Sequence, residues 1–443
     1  MSVHTGPTRE ARPWRVLFTA AAGAVMVTLD ATVVVIANPA IGADLRTGLA
    51  GLQWVTTGYL LALTVSLIPA GALADRWGPR RAFLVGVAGF ALASLSAAAA
   101  GGIAALVAFR VAQGVFGALL QTSALGLVRG AFPADRVPGA VGVFTAAGYT
   151  ATVVGPLLGG LAVAQAGWRW IFLINVPVGV AVLAAGTWLP RGPAGRRPAA
   201  LPGAAGVAVL AAGIAALLWA VVEWPRRGWG GVAPAALLAV AAFAGFVVHQ
   251  RGTGAPLVPR AVLRSSRVAA GALLTGVAGF VLIGTAFVLA VVLDWLGPAA
   301  TGVRVFPLTA GMVLGAVLCG PVVTRVGPRA ACLLSAAASA AALVALAGDP
   351  APSPAWLAVL GGGLGGLLVA TTTTAITEVP PALVGVASGL RQSALQLGGA
   401  LGTAVLGAAL AGGGDGGRRA LLTAAAVVAA GLLPSLLMKG RDR

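Results

Sequence analysis

The sequence is a succession of apolar stretches separated by short segments rich in proline, glycine and arginine. About 20 apolar residues in a helix suffice to cross a bilayer, where every backbone polar group must find its hydrogen bond inside the protein. We count fourteen such stretches, at 16–38, 52–73, 82–101, 103–128, 138–164, 169–189, 201–222, 232–250, 268–293, 300–323, 329–348, 355–377, 383–411 and 419–438. The pattern predicts an all-α polytopic membrane protein with 14 transmembrane helices.

The composition agrees with this interpretation and excludes several classes of protein. Hydrophobic residues make up 59% of the 443 residues and charged residues 9%, against about 25% charged residues in a soluble domain. The net charge of +18 is spread over short segments between apolar stretches and does not form one basic face, which argues against a nucleic-acid partner. Lys439, in the C-terminal tail, is the only lysine. A P-loop is therefore excluded, and with it ATP-driven transport by this chain.

The histidines and cysteines are too few for a metal centre. His4 and His249 are the only imidazoles, and Cys319 and Cys332 flank a predicted cytoplasmic turn. Reducing conditions and helix burial favour two free thiols there. We expect no metal and no cofactor, and no obligate protein partner is evident.

The distribution of basic residues predicts the orientation. Most of the 29 lysines and arginines fall in segments on the N-terminal side of the membrane. The opposite side receives Arg46, Arg169, Arg226, Arg227, Arg304, Arg418 and Arg419. Because cytoplasmic loops carry the excess of positive charge, both termini are predicted to be cytoplasmic. The first apolar stretch follows three arginines as a signal peptide would, but its length and its many successors indicate a retained span.

Internal repeats divide the chain. The segment from Gly71 to Arg80 is echoed 249 residues later, and the segment from Val141 to Gly155 is echoed 243 residues later. Each echo shifts the span number by eight, which implies two six-span halves separated by two inserted spans. The predicted units are 1–190 (spans 1–6), 191–250 (spans 7 and 8) and 251–443 (spans 9–14).

Six motifs occur in a fixed order along the first half. They are Leu29-Asp30-Ala31-Thr32, Gln53-Trp54-Val55-Thr56-Thr57-Gly58-Tyr59-Leu60, Gly71 to Arg81, Phe109-Arg110-Val111-Ala112-Gln113-Gly114, Gly155-Pro156-Leu157-Leu158-Gly159-Gly160, and Trp168 to Pro177. The ordered set resembles the major facilitator superfamily, and within it the fourteen-span drug:proton antiporters, over nearly the whole chain. The chain departs from the family pattern at Val35, Thr324 and Leu395.

This resemblance implies a function. It implies a secondary transporter, not an enzyme, that exchanges protons for small amphipathic drugs, antibiotics or natural products by alternating access. The resemblance implies a multi-pass protein of the cytoplasmic membrane of a bacterium. Its expected partners are membrane lipid, protons and a small-molecule substrate. A nutrient importer or uniporter on the same fold remains an alternative, as do a membrane-embedded enzyme and a non-transporting sensor. The short loops, nearly devoid of acidic residues and histidine, argue against the enzyme.

Asp30 and Arg110 are the candidate residues for proton coupling. Asp30 is the only carboxylate that we place deep within a span, where its charge needs a partner, water or a proton. It could bind a proton or a substrate cation, or it could be permanently paired. Arg110 is expected at nearly the same depth, from the 1.5 Å rise per helical residue. A pair of this kind suits protonation-linked switching, with a static bridge as the alternative.

The remaining candidates belong to a cytoplasmic gate and a hinge. The gate motif comprises Gly71, Asp75, Arg76, Gly78, Arg80 and Arg81. The resemblance implies that Asp75 lies against the N-terminal end of span 13, near Leu383; otherwise these charges only set topology. In the exporter motif, Gly155 and Pro156 would bend span 5, while Gly159 and Gly160 would admit a neighbouring helix. Spans 5 and 13 would face each other across the two halves.

A substrate cavity is expected between the halves. Aromatic faces and scattered amides suit amphipathic ligands. The candidate lining residues are Trp54, Tyr59, Gln113, Gln121, Tyr149, Arg391, Gln392 and Gln396. Glu223, Asp294 and Glu378 all fall near span ends, so the sequence favours neutral, zwitterionic or monocationic compounds over dications.

Overall fold

Residues 13–190, 203–254, 256–293, 298–349, 352–411 and 415–436 are described by the structure, a computed structural model. The segment 191–202, with which the predicted insert begins, lies outside these residues, as does Asp294. The described residues form helices and turns, with no strand among them. The predicted all-α fold is confirmed.

The helices follow the apolar stretches closely. They are α1 (Pro13–Asp44), α2 (Leu49–Trp77), α3 (Pro79–Ala98), α4 (Ile103–Ala131), α5 (Val137–Ala166), α6 (Trp170–Leu173), α7 (Asn175–Ala185), α8 (Ala204–Gly252), α9 (Arg260–Arg264), α10 (Ser266–Val292), α11 (Pro298–Gly348), α12 (Pro354–Thr377), α13 (Val384–Ala411) and α14 (Gly416–Leu436). Helices α6 and α7 together occupy one predicted span. Within the described residues, ten helical segments are long and apolar enough to cross a membrane.

Two helices are too long for one crossing, and each is broken at a glycine. Helix α11 has 51 residues, which would extend over about 75 Å if straight, against a hydrocarbon core of about 30 Å. It breaks at Gly327, where φ is +84°, and α8 breaks at Gly228, where φ is +62°. Gly78, the repeat counterpart of Gly327, ends α2 with the same φ of +84°. Glycine adopts this left-handed region readily, whereas other residues resist it.

The helices pack into two bundles. Helices α1–α7 contact one another in the first, and α10–α14 in the second. Close packing between the bundles joins α2 to α13 and α5 to α11. We call the end of the bundles at which Asp75 lies the Asp75 end, and the opposite end the Asp44 end. Helices α5 and α13, expected to face each other, both line the central cavity described below, but each packs closely on a different helix of the other bundle.

The closest approach between the bundles is at the Asp75 end and depends on glycine. A Cβ atom built on Gly71 would lie 2.2 Å from the carbonyl oxygen of Gly385, and one built on Gly389 would lie 2.3 Å from that of Leu67. A Cβ on Gly142 of α5 would meet the carbonyl oxygen of Ala316 at 2.5 Å. Any side chain at these positions would push the backbones apart. The bundles are therefore in backbone contact along both seams at this end.

Candidate functional site

Asp30 and Arg110 form an ion pair in the interior of the first bundle. Arg110 Nη1 donates to Asp30 Oδ2, and the side chains of both residues are 0% exposed. Asp30 belongs to α1 and Arg110 to α4, which the depth argument from the sequence had placed level with each other. The direct pair is observed, whereas its role in proton coupling stays a prediction.

Three further groups complete a hydrogen-bond network around the pair. Asn175 Nδ2 donates to Asp30 Oδ1 at 2.9 Å and to Ser94 Oγ at 3.0 Å. Gln113 Nε2 donates to the same Asp30 oxygen at 3.3 Å, while its Oε1 accepts from Arg110 Nη1 at 3.0 Å. Charged groups in a medium of low dielectric constant are stabilised when hydrogen bonds satisfy their remaining sites. Helices α4 and α7 thus bond directly to the carboxylate on α1, and α3 supports it through Asn175.

Gln113 is a correction to the sequence analysis, because it was expected to line the cavity. Its side chain is fully buried and lies in this network. The signal was present in the sequence, since Gln113 is three residues from Arg110 and therefore on the same face of α4. Asn175 and Ser94 were missed as site residues. Their position in the network around Asp30 depends on how α3 and α7 pack, and no local sequence pattern encodes that packing.

Tyr59 separates the ion pair from a central cavity. Its ring lies 3.9 Å from Arg110 Cζ, a cation–π contact, and its hydroxyl donates to the backbone oxygen of Val27 at 3.3 Å. The same residue lines the cavity. Arg110 is therefore one aromatic ring away from the cavity.

The cavity has a volume of about 1080 Å³ and lies between the two bundles and α8. Of the predicted residues, it is lined by Trp54, Tyr59, Gln121, Tyr149, Arg391, Gln392 and Gln396. Its lining residues toward the Asp44 end include the exposed Trp54 and Trp219, whereas those toward the Asp75 end, such as Ser388 and Leu125, are buried. We infer that the cavity opens at the Asp44 end. Most of the wall is apolar, and polar groups are scattered over it. Their roles in binding remain predictions.

Glu223 lines the mouth of this cavity, which the sequence analysis did not anticipate. It was expected near the end of a span, and its depth agrees with that, but its side chain faces the cavity. Arg227 Nε donates to Glu223 Oε2 at 3.0 Å, and Arg227 also lies over the ring of Trp219, 5.4 Å from its centroid. The spacing of four residues between these three positions was the available signal, since it places them on one helix face.

Asp75 joins the two bundles. Its Oδ1 accepts the backbone N–H of Gly385 at 2.7 Å and its Oδ2 accepts that of Val386 at 2.9 Å. These donors belong to the first turn of α13, where N–H groups have no partner within the helix and the helix dipole favours a negative charge. Nearby, Arg129 Nη1 of α4 donates to the backbone oxygen of Val379 at 2.8 Å.

Of the other gate residues, Gly71 lies at the seam with Gly385, whereas Arg80 is bonded within the first bundle. Arg80 donates from Nε and Nη2 to the backbone oxygen of Gly186, at 3.3 and 3.2 Å. Arg76 is half-buried and Arg81 is exposed. Thr324, which replaces the acidic residue in the second repeat, donates to the backbone oxygen of Pro321 in its own helix. Only one of the two repeat loops thus carries an acidic contact across the seam in the described chain.

The exporter motif packs α5 against α1 beside Asp30. A Cβ built on Gly155 would lie 2.2 Å from Thr32 Oγ1, and one on Gly159 would lie 2.7 Å from Val33 Cγ1. A Cβ on Gly160 would meet no atom within 4 Å, so the expected close approach at Gly160 is wrong. Helix α5 runs continuously through Pro156, and the side chain of Pro156 lies outside the described atoms.

A two-bundle helical fold with a central cavity and a buried charge pair defines a membrane transporter. The profile of the Major Facilitator Superfamily matches residues 20–403, and the chain belongs to this family. It is a transporter and not an enzyme, and it is a multi-pass protein of a bacterial cell membrane.

Similar proteins include the tetracenomycin C resistance and export protein of Streptomyces glaucescens, 43% identical over 90% of this chain and 76% of that protein. The probable actinorhodin transporter of Streptomyces coelicolor is 36% identical over 91% of this chain and 73% of its own length. The solved structure of the human organic anion transporter MFSD10 superposes with a TM-score of 0.70, covering 98% of this chain and all of the other at 17% identity. That likeness concerns the fold.

Proposed function

We propose that this protein is a proton-coupled antiporter that exports small amphipathic compounds by alternating access. The observation that carries the proposal is the central cavity, which reaches the surface at the Asp44 end while backbone contacts along both seams close the Asp75 end. A carrier that rocks about a midplane site alternates between this arrangement and its reverse. The substrate would leave through the mouth beside Trp54 and Trp219.

The proposed topology has fourteen spans, with the Asp75 end in the cytoplasm. The breaks at Gly228 and Gly327 divide α8 and α11 into two crossings each, which supports the count. The equal φ angles of Gly78 and Gly327 support two repeated halves, 1–190 and 251–443, with the pair 191–250 inserted between them. The excess of arginine at the Asp75 end supports the cytoplasmic assignment of both termini.

Asp30 is the proposed proton-binding group. It pairs with Arg110 and accepts from Asn175 and Gln113, so its ionised form is held until the network changes. Tyr59 contacts Arg110 and also lines the cavity, so a compound bound in the cavity would be one aromatic ring away from the ion pair. One inward proton supplies about 2.3 kcal/mol per 100 mV of membrane potential, equivalent to about a 50-fold substrate gradient. That suffices for export without ATP.

The substrate class follows from the cavity and from the relatives. An apolar wall with a few amides and aromatic rings suits an amphipathic ligand. Relatives named for the export of tetracenomycin C and for actinorhodin transport point to aromatic natural products or antibiotics.

A transport assay in everted membrane vesicles tests the proposal. Respiration acidifies the lumen and quenches acridine orange, and a panel of antibiotics and aromatic dyes is then added. We expect some compounds to restore fluorescence in vesicles that contain the protein, and none to do so in vesicles that contain Asp30→Asn. Recovery in neither preparation, together with no reduced accumulation in a pump-deficient host, would refute export. Enhanced uptake of a nutrient in whole cells would favour the importer.

A further inference from the structure

Arg391 is a buried cation that has no ionic partner in the described part of the chain. Only 9% of its surface is exposed, and it lies on α13, facing the central cavity. Its Nη2 donates to Gln392 Oε1 at 2.8 Å, whereas its Nε is buried without a hydrogen-bond partner. The salt bridges among the described residues involve Arg110, Arg169, Arg227 and Arg267, and Arg391 is in none of them.

A second unsatisfied donor lies beside it. Ser388 also lines the cavity, is 1% exposed, and has an Oγ without a hydrogen-bond partner. Ser388 and Arg391 are three residues apart on α13 and therefore share one helix face. Buried polar groups are normally paired, because an unpaired one costs free energy. Two unpaired groups facing the same cavity indicate that a ligand supplies the acceptor.

The carboxylate of the cavity is too distant to neutralise Arg391. Arg391 lies about 10 Å along α13 from the Asp75 end, whereas Glu223 lies about 28 Å along α8 from that end, at 1.5 Å per residue. Glu223 is at the mouth and pairs with Arg227. Asp30 is engaged by Arg110 behind Tyr59. The cavity therefore has a guanidinium without a carboxylate at its floor and a carboxylate paired with an arginine at its mouth.

We propose that the floor formed by Ser388, Arg391 and Gln392 binds an anionic oxygen of the transported compound, such as a carboxylate or an ionised phenol or enol on an aromatic skeleton. A guanidinium and a hydroxyl are suited to such an oxygen, because charge-assisted hydrogen bonds are the stronger ones. Tyr149, Phe144 and Leu368 line the same cavity and offer apolar surface to the skeleton. This inference rests on the proposed export function. It differs from the preference for neutral, zwitterionic or monocationic compounds over dications expected from the sequence, which stays a prediction.

The test is a binding measurement with two matched probes, anthraquinone-2-carboxylate and anthraquinone-2-carboxamide. They have nearly the same shape and differ in charge at neutral pH. Quenching of the cavity tryptophans Trp54 and Trp219 reports binding to the purified full-length protein. We expect the wild type to bind the carboxylate about 10- to 100-fold more tightly than the carboxamide, as charge-assisted hydrogen bonds imply.

The variants separate the subsite from general effects. Arg391→Gln should bind the carboxamide as the wild type does, which shows that it is folded, and should lose the preference for the carboxylate. Arg391→Lys should keep part of the preference. Arg136→Gln removes the same charge from an exposed position and should leave the preference unchanged.

Either of two results would overturn the inference. One is a wild type that binds the carboxylate no better than the carboxamide, including a wild type that binds neither. The other is a preference that persists in Arg391→Gln. Export of a neutral dye by the wild type in the vesicle assay would show in those cases that the transport function stands while the anion subsite falls.

Discussion

The carboxylate of Asp75 on α2 accepts the backbone N–H of Gly385 on α13 at 2.7 Å, and this bond joins the two halves of the protein at the end where the cavity is closed. The bond uses a donor that the helix itself leaves free. In the repeat-related position of the other half, Gly142 is the sixth residue of α5, so its N–H is already bonded within the helix. This difference explains why Thr324 can stand where an acidic residue would be expected.

The first prediction concerns this contact. Asp75→Asn keeps the size of the side chain but removes its charge and one acceptor, and hydrogen bonds to a charged group contribute about 1.5–3 kcal/mol. We expect the population that is open at the Asp75 end to rise about 10-fold or more. Spin labels at Ala134→Cys and Thr324→Cys, without the two native cysteines, report the distance between the halves. Asp135→Asn, at an exposed carboxylate, is the control. Unchanged distance distributions in Asp75→Asn would show that the contact does not hold this end closed.

The second prediction concerns the stability of the buried pair. Asp30→Asn leaves Arg110 as an unpaired cation, and breaking one side of a buried ion pair costs about 3–5 kcal/mol. Asp30→Asn with Arg110→Gln removes both charges and should regain most of the lost thermal stability. Unfolding in detergent, followed by tryptophan fluorescence, gives the melting temperatures. A double variant less stable than Asp30→Asn would mean that the unpaired charge of Arg110 is not the cause of the lost stability.

The third prediction concerns coupling at Asp30. Asp30→Asn resembles the protonated form, so it should abolish proton-driven accumulation while passive exchange of substrate persists. Asp30→Glu should retain some transport with a shifted pH optimum. Counterflow and proton-driven uptake are measured in the same everted vesicles. Accumulation by Asp30→Asn at the normal rate and with the normal pH dependence would place the proton site elsewhere, with Glu223 as the next candidate.

The fourth prediction tests Asn175, a partner of Asp30 that the sequence analysis missed. Asn175→Ala removes a 2.9 Å hydrogen bond to the ionised carboxylate. Because the network around Asp30 loses one of its donors, proton-driven accumulation should fall while passive exchange of substrate persists. Asn38→Ala, at an amide on α1 that is not among the donors to Asp30, should leave accumulation unchanged. Equal losses in both variants would indicate a general packing effect.

The fifth prediction uses a surface pair at the Asp44 end. Arg169 and Trp168 donate hydrogen bonds to Asp44, which lowers the pKa of this carboxyl below its usual value. Because the pKa of Asp44 is lower in the folded than in the unfolded chain, its ionised form stabilises the fold at pH values above the usual pKa. This stabilisation is lost as the pH falls through the lowered pKa. Asp44→Asn should therefore melt slightly below the wild type at pH 7, and the difference should vanish in acid. Melting curves at both pH values check this, and a difference that grows in acid would contradict it.

The sequence predicts most of the fold because hydrophobicity and glycine positions are local signals. The helices, the span boundaries near Gly228 and Gly327, and the level placement of Asp30 and Arg110 all follow from apolar length and helical rise. The network around Asp30 does not, because Asn175 and Ser94 reach it through packing between α3 and α7. Glu223 and Arg391 are visible in the sequence as charges, but whether each is paired depends on tertiary distances.

Helix α8 contacts both α2 and α13 and contributes Leu218, Trp219 and Glu223 to the cavity wall. It therefore lies against the seam between these two helices, as α12 lies against the seam between α5 and α11. A lipophilic compound that diffuses within the bilayer toward the α2–α13 seam would consequently meet α8 before it reached the cavity.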